Sequence, residues 1–553
     1  MKVRKIVTLL LALAMIFALA AGCSDNNPSG TNSDPGTQTS NPGNPGSQPG
    51  GPAQNPGEMD KTVYVSIADG DVGTLDPFNT NDAARKQVLL QFYETLFNYD
   101  VDGNLVGVLA KDYKRDGRVY TIELWDNIHD AKGNPFTADD VVWCLDTYKE
   151  KVTSGEIYSF ESWKKIDDTH VEMTVIDNGV TTFYGAIPGL WMVTQEAYEA
   201  SGNNMSVDNV VTTAHYQVQD YTTGSTLTLT KNENYWQDDD KITCIVQEAN
   251  VDTIVYNFLT EASQIVVGLE DGKLDVAFVD QNLADRFREG GASADGFIAR
   301  DQATWGGKDL WLNESDSSIF KDNIWLRRAI FHAVDRAAIV EAAWNGHATI
   351  GKTYGSLRYP DVDPALADRD YFEYDPEYAL ECLERAGYQY GELKLSLLYP
   401  SNSYDDTMCT VIAAYLENNL GIEVEINGLE NAIFNSYYME PDKWDLLIQG
   451  GGGSGSVTQV WGKRLNRNAF GGEYCLGFVN DDTLQSLVET ASDVNTNGYE
   501  TTTAVHDYLV DQAYVMRLYI EEKCCVFNSD KIVDMCVNVD MRPVPGASTY
   551  VWN

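Results

Sequence analysis

The chain has 553 residues, 43% of them hydrophobic and 11% aromatic, which is enough for two or three domains with well-filled cores. Its 39 basic and 83 acidic residues give a formal net charge of −44. This balance argues against nucleic acid as a partner, because phosphate binding needs a basic surface, and against electrostatic attraction to anionic membranes or wall polymers.

The N-terminal segment has the features of a secretory signal peptide over residues 1–22. A short basic start is followed by residues 6–21, which are apolar apart from Thr8 and too short for the ~20 residues of a membrane-spanning helix. The segment ends in Leu-Ala-Ala-Gly-Cys, which resembles a bacterial lipobox with Cys23 as the lipidated residue. An ordinary signal peptide with a chance cysteine is the alternative. No other apolar run approaches spanning length, so the sequence predicts an anchored protein and not an integral one.

Residues 23–61 are predicted to form a disordered tether. They consist mainly of Ser, Asn, Gly, Pro, Gln and Asp, and such a segment cannot offset its ordering entropy by burial. Eight cysteines follow Cys23 without a C-x-x-C pair. Export makes disulfides possible, but several of these cysteines lie in helix-like stretches, so mostly free thiols are predicted.

The first half of the folded part begins with an alternating strand pattern at 63–67 and a helical pattern at 88–97. Thr137 has the features of a helix N-cap, with acidic residues in the first turn behind it. Residues 220–230 alternate as a strand.

The second half contains longer helical patterns. Residues 326–344 form one apolar stripe, Asp375-Pro376 opens a further helix that Gly387 ends, and 405–420 repeats apolar residues at helical spacing. A period-2 strand pattern follows at 422–426. Helix followed by strand, repeated, indicates α/β organisation.

Eight phrases of this sequence occur in an order that resembles one protein family. They are Thr74-Leu-Asp-Pro77, Tyr93-Glu-Thr-Leu-Phe97, Gly133-Asn-Pro-Phe-Thr-Ala-Asp-Asp-Val-Val-Trp143, Asn232-Glu-Asn-Tyr-Trp236, Gly272-Lys-Leu-Asp275, Leu312-Asn313, Leu326-Arg-Arg-Ala-Ile330 with Ala333-Val-Asp-Arg336, and Tyr374-Asp-Pro-Glu-Tyr-Ala379 with Ala386-Gly-Tyr388. Together they resemble the extracellular solute-binding protein family 5 of ABC importers, which bind peptides, nickel or oligosaccharides. Most of these residues have plain structural roles as turns and caps; for Asp335 and Arg336 an ion pair within a helix or at a helix end is expected.

The resemblance implies an α/β clamshell with two lobes, of the periplasmic-binding-protein type II, large cluster, with an extra subdomain in lobe I. Lobe I would comprise 62–303 plus 520–553, with the inserted subdomain at about 100–230, and lobe II would comprise 304–519. A small solute, an oligopeptide or alternatively an oligosaccharide, would be buried between the lobes by hinge closure and delivered to permease subunits. The resemblance further implies a monomer, lipid-anchored at the extracellular face of the cell membrane or in the periplasm.

Three segments line the cleft in this family. The resemblance places ligand contacts at Asn81, Asp82, Trp305, Gly451, Ser454 and Trp461. Trp305 is the foremost candidate because an aromatic ring beside glycines presents its face to a peptide bond, a sugar or a cation. Core packing is the alternative reading for Trp305, and local turn bonding is the alternative for Asn81 and Asp82. Trp191 and Tyr354 are weaker candidates.

The third segment, Gly450 to Ser456, departs from the peptide-binding members. Those carry Gly-Trp followed by an Asp that pairs with the peptide amine, whereas this chain has GGGGSGS. Its G-x-G-x-x-G spacing lies too late in the chain for a dinucleotide fingerprint and lacks the Lys-Ser/Thr of a P-loop. The segment is therefore predicted to be a cleft wall whose small residues leave room for a bulkier solute.

No catalytic residue, metal ligand or cofactor site is predicted. Ser454 and Ser456 are not in G-x-S-x-G, the six histidines show no ligand pair at short spacing, and no acidic pair stands out among 83 acids. A secreted hydrolase is the alternative from another class, and a binding protein that feeds a sensor instead of a permease is another.

Overall fold

The computed structural model describes residues 61–67, 70–79, 86, 88–207, 209–369, 371–452, 455–538 and 542–552. The predicted signal peptide, Cys23 and the tether up to residue 60 lie outside these residues. Within them, no helix combines the length and the apolar character that crossing a membrane requires.

The strands are numbered in chain order. Their bounds are β1 Thr62–Ile67, β2 Glu94–Thr95, β3 Phe97–Tyr99, β4 Leu105–Gly107, β5 Ala110–Asp116, β6 Val119–Leu124, β7 Phe160–Asp167, β8 His170–Val175, β9 Trp191–Met192, β10 Tyr216–Thr222, β11 Thr226–Lys231, β12 Thr253–Phe258, β13 Val276–Val279, β14 Phe297–Leu312, β15 Ala348–Ile350, β16 Lys394–Pro400, β17 Glu423–Leu429, β18 Leu446–Gly451, β19 Val515–Asn528, β20 Ile532–Asp534 and β21 Thr549–Tyr550.

The α-helices are numbered in the same way. Their bounds are α1 Ala138–Lys151, α2 Val180–Tyr184, α3 Gln195–Ala200, α4 Ala262–Glu270, α5 Gln281–Ala284, α6 Ile324–His332, α7 Arg336–Trp344, α8 Pro376–Arg385, α9 Ser403–Leu420, α10 Asn431–Tyr437, α11 Val457–Arg464, α12 Asp482–Ser492 and α13 Tyr499–Gln512.

One mixed sheet runs through the whole folded body. Among the described residues its strand order is β10-β11-β12-β1-β13-β19-β14-β18-β16-β17, and β15 pairs with β19. Strands β12, β1 and β13 are parallel at one end, and β17, β16 and β18 are parallel at the other. We call the first end, together with the separate sheets β5-β6-β8-β7, β2-β9 and β3-β4, the first lobe, and the second end the second lobe.

Two long antiparallel strands, β14 and β19, connect the lobes. Their pairing is regular from Phe297 to Ala303 and resumes at Gly307, with a register shift between these two residues. Such an irregularity bends a strand and increases its local twist. The two connecting strands are thus interrupted at the level where the lobes meet.

The second lobe buries side chains on both faces of its sheet. Leu446 and Ile448 pack in one apolar cluster with α6 to α9, and Leu447 between them packs in another with α11 to α13. This alternation follows from the period of two residues along a strand. We call the side of Leu447 the front face and the side of Leu446 and Ile448 the back face.

Several predicted elements are confirmed. β1 covers the predicted strand at 63–67, and α1 begins at the N-cap Thr137 with a complete capping box to Asp140. α8 begins after the N-cap Asp375, and α9 contains the predicted helix at 405–420. These signals are local, so the sequence alone carries them.

Other predicted elements are wrong. The helical pattern at 88–97 gives way to the short strands β2 and β3, because β2 pairs with β9 far along the chain. Residues 220–230 are not one strand but parts of the hairpin β10–β11, which turns at 223–225. The stripe at 326–344 is divided into α6 and α7.

The break between α6 and α7 also corrects the expected ion pair. Asp335 is the N-cap of α7 and accepts from the backbone N–H of Ala337 at 2.9 Å. Arg336 is buried and donates to the carbonyl groups of Gly351 and Tyr371 instead of pairing with Asp335. The cap satisfies backbone donors at the start of α7, which a continuous helix would not need.

The predicted range of the inserted subdomain, 100–230, stays a prediction. The separate four-stranded sheet lies inside it, whereas β10 and β11 join the main sheet through β12. The eight cysteines after Cys23 are all free thiols, seven of them buried.

Candidate functional site

The glycine segment lies beside the interruption in the connecting strands. β18 pairs antiparallel with β14, so that Gly451 lies opposite Gly307 and Gly450 opposite Lys308. Residues 453–454 lie outside the described residues, and the chain continues at Gly455 into α11. The described part of the segment thus lies at the end of β18, next to the interrupted stretch of β14, and its role as a cleft wall stays a prediction.

At Gly452 and Gly455, the space that a side chain would fill is taken by other residues of the same chain. A Cβ on Gly452 would lie 2.8 Å from the Cα of Gly306, and a Cβ on Gly455 would lie 2.3 Å from the hydroxyl of Tyr99. Gly455 also has a φ of +81°, which side chains of L-residues rarely adopt. Tyr99 belongs to the first lobe, so the space at Gly455 accommodates a contact between the lobes.

The N-terminus of α11 is already occupied by a carboxylate of the chain. Ser456 is the N-cap and donates its hydroxyl to Asp361 at 2.5 Å, while the Val457 N–H donates to the other oxygen of Asp361 at 3.0 Å. A negative charge at this end is stabilised by the helix dipole. The arrangement fixes α11 and leaves its first turn without a vacancy for an anion.

A cavity of about 240 Å³ lies between the lobes. The first lobe lines it with Tyr99, Trp191 and the ion-paired Lys86 and Glu156, whose charged atoms are 2.7 Å apart. The second lobe lines it with Gln459 of α11. Glu156 is the only carboxylate among the described lining residues. We call this space the cleft cavity.

A second cavity of about 410 Å³ adjoins the cleft cavity, and the two share Tyr99 and Gly185. Gly455, Ser456 and Asp361 form part of its wall from the second lobe. The hydroxyl of Tyr99 donates to the carbonyl of Tyr184 at 2.6 Å, which fixes the ring as a partition between the two cavities.

Trp191 carries the clearest unmet hydrogen-bonding group of the cleft cavity. The side chain is 3% exposed, and its Nε1–H has no acceptor among the described residues. Buried donors are rarely left unpaired, so this N–H is a candidate donor to a solute once the cleft rearranges around it. The sequence singled out Trp191 only as a weaker candidate.

Trp305 lies within an aromatic cluster on the front face. It is 5% exposed, its ring centroid is 4.4 Å from that of Tyr359, and the guanidinium of Arg358 lies 5.1 Å from the ring. The ring thus packs against its own chain, while its Nε1–H has no acceptor among the described residues. Its role as a ligand contact stays a prediction.

A buried ion pair lies on the same face as Trp305. Arg517 donates to both carboxylate oxygens of Asp309, and the two side chains are 0% and 2% exposed. Burial raises the pKa of Asp309, although the charge of Arg517 opposes the rise. The pair joins β14 to β19 directly below the interrupted register.

The other predicted contacts have different outcomes. Trp461 is 2% exposed and donates its Nε1–H to the carbonyl of Tyr354 at 2.9 Å, and Tyr354 is itself buried. Gly451 has ordinary clearance, since a Cβ added to it would lie 3.7 Å from its nearest neighbour, the Cγ1 of Val460. Asn81, Asp82 and Ser454 lie outside the described residues.

Sequence reasoning did not find Tyr99, Glu156, Gln459 or Arg542, all of which line the cleft cavity. They come from segments that are far apart in the chain, and no short motif marks any of them. Gly455 was a weak signal for Tyr99, because a glycine often stands where another group approaches the backbone too closely for a side chain.

Curated relatives share about a quarter of their residues with this chain. The glutathione-binding protein GsiB of Escherichia coli O6:K15:H31 is 25% identical over 346 residues, covering 60% of this chain and 62% of the relative. GsiB of Salmonella paratyphi A is 26% identical over 343 residues, covering 58% and 60%. The chain thus spans about three-fifths of the length of these relatives.

Solved structures share the fold. The unliganded open form of the periplasmic murein tripeptide-binding protein MppA has a TM-score of 0.76 at 16% identity, covering 89% of this chain and 97% of that one. HbpA2 of Haemophilus parasuis has a TM-score of 0.76 at 19% identity, and a nickel ABC transporter protein of Bacillus halodurans 0.74 at 18%, each covering 89% of this chain and 100% of its own. This likeness confirms the predicted two-lobed α/β clamshell.

The family profile described as "Bacterial extracellular solute-binding proteins, family 5 Middle" matches residues 104–465, which is more than half of the chain. The match includes most of the phrases on which the resemblance was based and the strands that build the second lobe. The chain belongs to the bacterial extracellular solute-binding proteins of family 5.

Proposed function

We propose that this chain is the extracellular solute-binding component of an ABC importer, and that it captures an oligopeptide-like solute between its lobes for delivery to a membrane permease. The observation that carries the proposal is the cleft cavity, to which both lobes contribute side chains. A solute favours closure of the two lobes only if it makes contacts in the closed state that it cannot make in the open state. A cavity lined by both lobes provides such contacts.

The names of similar proteins support a short peptide. The relatives bind glutathione and MppA binds a murein tripeptide, as their names state. A peptide carbonyl or carboxylate would accept from Trp191, and Glu156 would receive the amine that the glycine segment cannot bind. An oligosaccharide is the alternative solute, and its hydroxyl groups would use Trp191 and the exposed faces of aromatic residues.

The predicted anchor and lobe boundaries belong to the same proposal. Lipidation at Cys23 would hold the tether 23–61 at the extracellular face of the membrane, and the lipobox-like residues before Cys23 support it. The interruption of register between Ala303 and Gly307 supports a crossing from 62–303 into 304–519 near this point. The chain would act as a monomer without a cofactor.

The test is a thermal-shift screen of residues 24–553 against glutathione, other tripeptides, nickel chelates and short oligosaccharides. A solute at a hundredfold excess over its Kd stabilises the folded state by about 2.7 kcal/mol and raises the Tm accordingly. A shift by peptides is the expected result. A shift by oligosaccharides alone would replace the peptide with the alternative, and no shift by any class would contradict solute capture in this cleft.

The site is tested by Trp191→Phe, which removes the indole donor and keeps an aromatic ring. Affinity for the solute found in the screen is expected to fall roughly tenfold or more, since a hydrogen bond to a charged group contributes about 1.5–3 kcal/mol. Trp325→Phe is the matched control, because Trp325 lies in α6 beside Arg328 and Arg385 and away from the cleft. Trp305→Ala tests the foremost sequence prediction in the same assay.

A further inference from the structure

The strand β19 marks the boundary between the two lobes along both of its edges. On one edge it pairs with β13 of the first lobe at residues 524–527 and with β15 of the second lobe at residues 519–521. On the other edge its pairing with β14 is interrupted between Ala303 and Gly307, at the same level. A side chain that reaches across this level therefore connects the first lobe to the second.

His347 reaches across this level. It directly precedes β15 in the second lobe, and its side chain is 26% exposed. Its Nε2 lies 3.2 Å from Oδ1 of Asp285, and its Nδ1 lies 3.3 Å from Oδ2 of Asp301. Asp285 follows α5 and Asp301 lies in β14 before the interruption, so both carboxylates belong to the first lobe.

The positions of the two ring nitrogens fit a protonated imidazole. In the neutral ring one nitrogen donates a proton and the other presents a lone pair, whereas both nitrogens of the imidazolium are donors. A neutral His347 would thus turn a lone pair toward one of the two carboxylates, and this contact would be repulsive. The protonated ring attracts both carboxylates. Histidine is the side chain that commonly changes its charge between about pH 5 and pH 8.

Arg288 already pairs with the same two carboxylates. Its Nη1 contacts Asp285, and its Nη2 lies 2.6 Å from Oδ1 of Asp301. Although burial opposes the shift, the hydrogen bond from Arg288 lowers the pKa of Asp301, so this carboxylate stays charged. One guanidinium that faces two carboxylates leaves one negative charge in excess, which a protonated His347 cancels. We call these side chains, Asp285, Arg288, Asp301 and His347, the hinge cluster.

The other charged and titratable groups around His347 favour its protonation as well. They are Glu341 of α7, Asp280, Arg286 and Glu289 next to α5, and Glu521, Glu522, Lys523 and Cys524 of β19. Arg286 is paired with Glu270 at 2.6 Å, and burial raises the pKa of Cys524, so its thiol stays neutral. The remaining carboxylates outnumber Lys523, and a surplus of negative charge stabilises a protonated imidazole.

A metal ion does not account for the hinge cluster. The part of the chain that the structure describes contains no group of three or more His, Cys, Asp or Glu side chains placed to hold one. The two nitrogens of one imidazole also point away from each other, so a single ion cannot join His347 to both Asp285 and Asp301. The cluster is therefore an ion-pair network between the lobes.

We propose that the hinge cluster is a pH-sensitive brace, in which protonation of His347 stabilises the arrangement of the lobes seen in this structure. If the lobes separate at the hinge, His347 moves away from Asp285 and Asp301 and binds its proton less tightly. By linkage, the braced arrangement is favoured at low pH, and this contribution is lost as the pH rises through the titration of His347. The inference rests on the proposed function only for the movement of the lobes.

The experiment measures the radius of gyration of solute-free residues 24–553 by small-angle X-ray scattering at about pH 5.5 and about pH 8, on either side of the histidine range. We expect a larger radius at the higher pH, because the unbraced lobes open further, and the same radius at both pH values for the His347→Gln variant. Equal radii of the parent chain at the two pH values would overturn the proposal, and so would an equal increase in parent and variant.

Two further variants separate the effect of charge from that of packing. His347→Arg keeps a positive charge at both pH values, so its radius at the higher pH should stay at the value of the parent chain at the lower pH. His170→Gln is the matched control, because His170 faces Asp167 at 2.8 Å within the first lobe, and it should leave the pH dependence of the parent chain unchanged. If His347→Arg expands as much as the parent chain, His347 is not the titrating group.

Solute binding separates a failure of the brace from a failure of the proposed function. Glutathione is the first probe, and its Kd for the parent chain should be about two- to fivefold lower at the lower pH, beyond any change in His347→Gln, which is the effect of one partly exposed ion pair. Equal affinity at both pH values would overturn the brace and leave the importer function standing. If no solute binds, the radius of gyration still decides about the brace, because it is measured without solute.

Discussion

The two faces of β14 bury two ion pairs at consecutive residues, Asp309 on the front and Lys308 on the back. On the front, both oxygens of Asp309 accept from Arg517, and neither side chain is more than 2% exposed. On the back, Lys308 is 23% exposed, and one oxygen of its partner Asp405 has no donor among the described residues. Each pair leaves one polar atom without a partner among the described residues, Nη1 of Arg517 on the front and Oδ1 of Asp405 on the back, but only the back pair borders a cavity.

The difference lies in the surroundings of the two pairs. A buried pair is stable only when its geometry is good and its remaining hydrogen-bonding positions are filled. The front pair is enclosed by protein on all sides, whereas the back pair borders a cavity of about 550 Å³. Burial alone does not distinguish the two, since Asp405 is as buried as Asp309.

The largest expected effect comes from breaking the front pair. Arg517→Met should destabilise the folded chain by about 3–5 kcal/mol, because it leaves the Asp309 carboxylate buried without a counter-charge. Urea unfolding measures the loss. Lys308→Met, on the back, should cost less, about 1–3 kcal/mol, because Lys308 is itself 23% exposed and Asp405 keeps the bond from Asn402. Equal losses for the two variants would contradict the distinction between the faces.

The front side of the second lobe also buries His506, which predicts a pH dependence. Burial lowers the pKa of His506 to about 4. Below its ordinary value of about 6.5 the unfolded chain takes up a proton that the folded chain does not, so stability falls by about 3 kcal/mol between pH 7 and pH 4. His506→Leu should remove this part of the dependence. Denaturation at both pH values measures it, with the partly exposed His129→Gln as the control.

A substitution at Gly455 tests whether the glycine is needed for the close approach of Tyr99. Gly455→Ala should destabilise by about 2–3 kcal/mol, because the residue has a positive φ and its Cβ would overlap Tyr99. Gly451→Ala is the matched control and should change stability by less than about 0.5 kcal/mol. If both variants unfold at the same denaturant concentration, the segment has no such constraint.

The smallest effect concerns a hydrogen bond between the lobes, from Tyr404 of α9 to Asp280. The Tyr404 hydroxyl donates to Asp280 at 2.6 Å and accepts from Asn282 at 3.0 Å. Tyr404→Phe should cost about 1 kcal/mol in unfolding experiments, the usual net value of a hydrogen bond. Tyr390→Phe is the control, since the Tyr390 hydroxyl donates to the backbone carbonyl of Glu417, within the second lobe, at 3.3 Å. A cost no larger than that of the control would show that this bond does not hold the lobes.

Local signals in the sequence were sufficient to predict several helix starts and to assign the family. Thr137 and Asp375 mark the first turns of α1 and α8 because an N-cap needs only residues within a few positions of itself. The ordered phrases from residue 74 to 388 were sufficient for the fold class, since they record turns and caps that recur with this fold. Neither inference required a contact between distant segments.

Tertiary structure alone decided the division of the helix at Asp335, the strands at 94–99 and the composition of both cavities. Arg336 bonds to carbonyl groups at 351 and 371, and β2 pairs with β9 about a hundred residues later, so no local pattern could indicate either. The glycine segment shows the same limit. Its small residues were visible in the sequence, but only the fold brings Tyr99 against Gly455, because the two belong to different lobes.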